Sequence, residues 1–61
     1  MLLLASEVAE RLRVDESTIR RWTRERKIPH VRLGDGQGSP VRYPEAEVEE
    51  WWRKRMEAGR L

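Results

Sequence analysis

Between Val8 and Ile28 the chain carries two stretches with the apolar spacing of helices, separated by a break so short that only a tight turn can join them. In the first, Val8, Ala9 and Leu12 share one face of a helix expected from Ser6 to Arg13, with Leu3 or Leu4 folding beneath. The turn centres on Val14, and Asp15 stands where its side-chain oxygen would cap the free N–H groups of a second helix from Glu16 to about Arg26. At roughly 100° per residue, Ile19 and Trp22 of that helix lie within about 60° of each other and point inward. Ser17, Arg20, Arg21 and Arg24 fall about 100–200° from Ile19, on the side away from the core. Three arginines and a small hydroxyl with no acid in that arc are unusual, because a merely solvated face mixes both signs of charge.

The charge distribution points the same way. The chain has 61 residues and a net charge of +2, but residues 11–32 hold eight Arg or Lys against three acids, a local +5, while residues 43–61 hold four bases against five acids. Basicity gathered on the first two helices is the footprint expected for phosphate contact. Eleven of the thirteen bases are arginine, whose guanidinium forks onto phosphate oxygens and guanine edges.

Pro29 ends the helical region, and the residues after it alternate with period two. Val31 and Leu33 alternate with His30 and Arg32, and Val41 and Tyr43 flank Arg42; the glycine-rich stretch Gly34–Pro40 between them reads as the tip of a β-hairpin. Pro44 then opens a third helix, with Glu45 and Glu47 at the positive end of its dipole and Arg53, Lys54 and Arg55 towards the negative end. Val48, Trp51, Trp52 and Met56 form an apolar stripe expected to close the core, and Gly59 is a stop. Adjacent residues on a helix diverge by roughly 100°, so Trp51 and Trp52 cannot both reach the core centre, and Trp52 is expected at its edge.

Together these elements describe an α+β winged helix-turn-helix: three helices with a two-stranded β-hairpin wing, one domain over residues 1–61. In that build the second helix enters the major groove of double-stranded DNA, and the hairpin reaches backbone or minor groove. The arginine face of helix 2, with Ser17, Arg20, Arg21 and Arg24, and the wing residues Arg32 and Arg42 are the surfaces such a docking would use.

The order Glu-Val-Ala…Leu…Val-Asp…Thr-Ile-Arg-Arg-Trp…Lys-Ile-Pro…Val-Arg-Leu-Gly…Val-Arg-Tyr…Val-Glu-Glu-Trp resembles the small excisionase and MerR-like winged-helix family over about four-fifths of the chain. That resemblance implies a DNA-bending partner of an integrase in site-specific recombination, or a small transcription regulator built on the same module, and the matching positions it implies at the DNA are Ser17, Thr18, Arg20, Arg21 and Arg24 on helix 2 with Arg32 and Arg42 on the wing. The chain departs from the family's pattern at Leu4, where a capping Thr is frequent, and at Arg13 and Arg26, where Gly is frequent. A rival of another class is a protein-interaction adaptor whose basic face docks an acidic partner.

Other chemistry is disfavoured. A chain of this length leaves no room for an enclosed active site, so Glu45/Glu47 and Glu49/Glu50 read as a solvated helix face rather than an acid/base pair, and no enzyme is expected. His30 stands alone, without a cysteine or a second histidine, so neither metal nor cofactor is expected. Gly34, Gly36 and Gly38 mimic a phosphate loop but are followed by Pro40 and a strand, not by a helix N-terminus. The absence of cysteine suits a reducing compartment. Met1–Ala5 is shorter than the roughly 7–15 apolar residues of a signal-peptide core, and no stretch approaches the ~20 needed to span a bilayer. The expectation is a cytoplasmic, nucleoid-associated chain with no membrane partner. It lacks a zipper heptad, so further copies are expected to assemble head-to-tail on DNA rather than as a solution dimer.

Overall fold

The computed structural model describes residues 1–34 and 40–59. Its elements run β1 (Leu2–Leu3), α1 (Ala5–Leu12), α2 (Glu16–Arg24), β2 (Val31–Arg32), β3 (Val41–Pro44) and α3 (Glu45–Ala58). The three helices and the β2–β3 hairpin are those the periodicity predicts. The glycine-rich tip lies, at residues 35–39, outside the described residues.

An additional strand joins the hairpin. β1 pairs antiparallel with β3 in the register Leu2↔Pro44 and Leu3↔Tyr43, and β2 pairs with its other edge as Val31↔Arg42 and Arg32↔Val41, giving the order β1-β3-β2. The amide of Glu45 donates to the Met1 carbonyl at 2.9 Å, so the start of α3 is tied to the start of the chain.

The core consists of Leu3, Val8, Ala9, Ile19, Ile28, Tyr43 and Val48, with Leu12, Val14, Trp22, Val41 and Trp51 packed against it. The three helices, β1 and β3 each contribute one or two side chains, Ile28 comes from the segment after α2, and β2 contributes none. Two expectations are corrected. Met56 is 46% exposed and does not close the core; it lies about two turns beyond Val48 along α3. Trp52 is half-buried at the edge, as the helical geometry requires, and with Met56 lines a groove between α1 and α3 together with Leu3, Val8, Leu12 and Val48. The period-two pattern marks a buried face only on β3, where Tyr43 is buried; Val31 and Leu33 on the outer strand are exposed.

The turns depart from expectation in an informative way. Asp15 occupies the N-cap of α2 but makes no side-chain cap bond; its carbonyl accepts the amides of Thr18 (3.0 Å) and Ile19 (3.3 Å). At α1 the N-cap is Leu4. Leucine has no acceptor to offer N3, so only one arm of a capping box exists: the Leu4 amide donates to Glu7 Oε1 at 2.8 Å.

Both helix C-termini end in a left-handed arginine. Arg13 and Arg26 each have φ 57°, the two positions where glycine was the expected residue. Around each the backbone closes a Schellman motif. The Val14 amide reaches Ala9 O at 3.0 Å and the Arg13 amide Glu10 O at 3.3 Å. At α2 the Lys27 amide reaches Trp22 O at 2.8 Å and the Arg26 amide Thr23 O at 3.1 Å. The paired bonds hold the αL conformation against the steric cost of a Cβ.

Candidate nucleic-acid interface

The exposed face of α2 is set by what its other face buries. Ile19 is fully buried, Thr23 is 8% exposed and Trp22 is half-buried, so these three residues fasten the helix to the body. Arg20, Arg21, Arg24 and Ser17 are left on the solvent side, where all four are exposed; Thr18 is half-buried.

The hairpin folds back beside that helix. Arg20 and Arg24 of α2, Arg32 of β2 and Arg42 of β3 line one cleft of about 490 Å3, closed at one end by Leu4, Ala5 and Ser6 at the start of α1. Thr23 and Tyr43 also line it. Four of the seven residues expected at the interface are therefore gathered from α2, β2 and β3 on one concave surface. Ser17 and Arg21, both exposed, and the half-buried Thr18 lie outside the cleft.

The arginines are not equivalent. Arg20 is bridged through Nη2 to Glu16 Oε2, one helical turn earlier. Arg21 and Arg24 make no ion pair with any carboxylate among the described residues. Arg42 is half-buried and donates from Nη1 to its neighbour's carbonyl, Val41 O, at 2.9 Å. Glu16 is the one acid lining the cleft among the described residues.

Beneath this surface a buried hydrogen-bond chain links helix to wing. Thr23 Oγ1 donates to Ile19 O at 2.7 Å, and Tyr43 OH lies 2.7 Å from the same Oγ1. Because a carbonyl can only accept, the threonine proton is committed to Ile19, and Tyr43 must donate to Thr23. No buried side-chain polar atom among the described residues lacks a partner.

On the far side of α2, Trp22 meets Trp51 edge-on at 5.7 Å between ring centroids, and the Arg55 guanidinium stands 5.1 Å from the Trp22 ring and 5.6 Å from Trp51. This cluster joins α3 to α2. Arg11 ties α1 to α3 through Glu45 (2.6 Å) and Glu49 (3.4 Å).

A family model described as a helix-turn-helix domain matches residues 2–56. The chain belongs to this helix-turn-helix family. No curated protein and no solved structure matches it. As a helix-turn-helix domain it is a DNA-binding unit, with α1 and α2 as the helix pair and the β2–β3 hairpin as a wing beside them. No helix among the described residues is long and apolar enough to cross a membrane.

Sequence reasoning missed two contributors to this helix-turn-helix surface. Glu16 was passed over because it precedes the arginine arc, although its i,i+4 spacing to Arg20 is a visible pairing signal. Thr23 sits only about 40° from Ile19 on the helical wheel, which places it at the core rather than among the polar residues.

Proposed function

We propose that α2 lies in the major groove of duplex DNA with Ser17, Arg20 and Arg21 towards base edges, while Arg24, Arg32 and Arg42 clasp the phosphodiester strand that passes between helix and wing. Thr18 offers its hydroxyl to backbone. The observation that carries this reading is the cleft itself: arginines from the helix and from both strands of the hairpin converge on one concave surface, and a phosphate ridge is the ligand whose charge and shape match it. An adaptor for an acidic protein needs no such division between an exposed helix face and a flanking clasp.

The finer role proposed is architectural: a site-specific, DNA-bending protein of excisionase type that acts with an integrase, with copies arranged head-to-tail on repeated sites. It rests on the resemblance in the sequence and on one physical argument. A single short recognition helix reads only a few base pairs, so a useful specificity ratio needs several copies in series. The groove between α1 and α3, with Trp52 and the exposed Met56, shares no residue with the arginine cleft and leaves surface for a contact between copies.

The test is selection of duplexes from a random-sequence pool at moderate salt, followed by footprinting and a circular-permutation bend assay on the selected sites. Recovery of direct repeats, occupied in series and bent, with a free protein that sediments as a monomer, is the expected result. Protection of an inverted repeat by a stable solution dimer would favour a transcription regulator of MerR-like type instead. Failure to retain duplex at all would leave the adaptor.

A further inference from the structure

A carboxylate in a cleft that otherwise gathers arginines works against phosphate affinity. Glu16 stands at the first position of α2, lines the cleft with Arg20, Arg24, Arg32 and Arg42, and is bonded to Arg20. Its side chain is 39% exposed and that of Arg20 70% exposed. The other ion pairs among the described residues, Arg11 with Glu45 and Glu49, Lys27 with Glu25, and Lys54 with Glu50, involve no residue of the cleft. An exposed i,i+4 pair supports a helix only weakly, so helix stability alone gives little reason for an acid at this place.

The position along the helix matters more. Recognition helices present their N-terminal residues to base edges, and Glu16 and Arg20 occupy the first and second turns of α2, whereas Arg24 sits at its end. The bridge from Arg20 Nη2 to Glu16 Oε2 uses one of the two Nη2 protons, which leaves the other, paired with its neighbouring donor on the guanidinium, as a two-donor edge. An arginine held this way has one charge already compensated and its fork fixed in orientation. It gains little by moving to a phosphate, and it keeps the planar donor pair that matches guanine O6 and N7.

We infer that Glu16 is a positioning and specificity-determining residue: it withholds Arg20 from the phosphate backbone and presents it to a base edge. The inference rests on the DNA-binding reading of the cleft. It divides the cleft by pairing, with the bridged Arg20 used for sequence and Arg24, Arg32 and Arg42 for the strand. The carboxylate therefore lowers affinity for arbitrary duplex while raising the ratio of specific to non-specific binding.

The experiment compares wild type, Glu16→Gln, Arg20→Ala and the double variant, each first checked for an intact thermal transition. Glutamine keeps the size of the side chain and removes its charge. Random-pool selection, followed by binding to selected and scrambled duplexes over a salt series, is the readout. In Glu16→Gln, freed Arg20 takes one more phosphate: scrambled duplex binds more tightly, the slope of log K against log salt steepens by about 0.9, and preference at one base pair falls by about fivefold or more. Arg20→Ala removes the same base preference without steepening the slope, and adding Glu16→Gln to it changes neither quantity further. Unchanged selected sequence, slope and specificity ratio in Glu16→Gln would overturn the inference while leaving the DNA-binding reading intact. A melting shift with those three quantities unmoved would reduce Glu16 to helix support. Absence of duplex retention by wild type would instead bring down the DNA-binding reading, and the inference with it.

Discussion

Tyr43 OH and Thr23 Oγ1 meet 2.7 Å apart in the core, joining the central strand of the sheet to the recognition helix by the one buried side-chain to side-chain hydrogen bond among the described residues. The contact fixes the distance between α2 and the wing, and so the width of the cleft whose floor both residues line.

The two partners are unequal, and mutation should reveal it. Tyr43→Phe leaves Thr23 bonded to Ile19 O and removes only a donor from a spare lone pair, so it should cost about 1 kcal/mol. Thr23→Val strands the tyrosine hydroxyl, buried with a residue 2% exposed, and should cost about 1–3 kcal/mol. The double variant should cost less than the sum. Urea unfolding of all four proteins measures the cycle, and strict additivity would contradict the assigned bond.

Replacing the left-handed arginines should stabilise the fold. At φ 57° a side chain costs about 1–2 kcal/mol, which glycine avoids, while glycine's greater freedom in the unfolded chain returns about 0.5–1 kcal/mol of that gain. Arg13→Gly and Arg26→Gly should each therefore raise stability by about 0.5–1 kcal/mol, and Tm by several degrees. The same changes at Arg20 or Arg53, inside helices, should lower it. A fall in Tm at positions 13 and 26 would contradict the Schellman geometry.

The parts of this fold that were legible in the sequence are those with a repeating pattern. Helix α2 was read from Ile19, Trp22 and the arginine arc, because nine residues give the helical period room to declare itself. The hairpin was read from Val41, Tyr43 and the glycines between its arms. β1 was not, since Leu2 and Leu3 are two residues without a period, and their pairing depends on partners some forty positions away. Asp15 was legible as the N-cap position, but the absence of its side-chain bond was not, since residue type does not encode the rotamer such a bond needs. Of the expected site, the sequence placed residues on faces, and the fold then separated them: Arg20, Arg24, Arg32 and Arg42 into the cleft, Ser17, Thr18 and Arg21 outside it. That separation follows from where the wing lands, which is a tertiary contact.

Salt dependence should count the arginines in use. With about four to six phosphates neutralised per protomer, the slope of log K against log salt should be about −4 to −5. Arg42→Ala should weaken selected and scrambled duplexes alike, because the wing meets backbone rather than base edges. A change in base preference without general weakening would contradict the role given to the wing. A slope near zero for wild type would remove the phosphate clasp altogether.

Stability and DNA affinity should separate at two arginines that lie on different sides of α2. Arg55 stacks on Trp22 and Trp51 and takes no part in the cleft, so Arg55→Ala should cost about 0.5–1 kcal/mol of unfolding free energy, with a shift in indole fluorescence and no change in salt slope. Arg24 lines the cleft, is exposed and has no carboxylate partner among the described residues. Arg24→Ala should thus leave unfolding within about 0.5 kcal/mol of wild type while reducing the magnitude of the salt slope by about 0.9. Arg55→Lys distinguishes the cause of the first effect: a lysine retains the charge but not the planar guanidinium, so most of the loss should persist if stacking on the two rings is what holds α3 to α2. Full recovery by lysine would assign the effect to charge at the helix C-terminus instead.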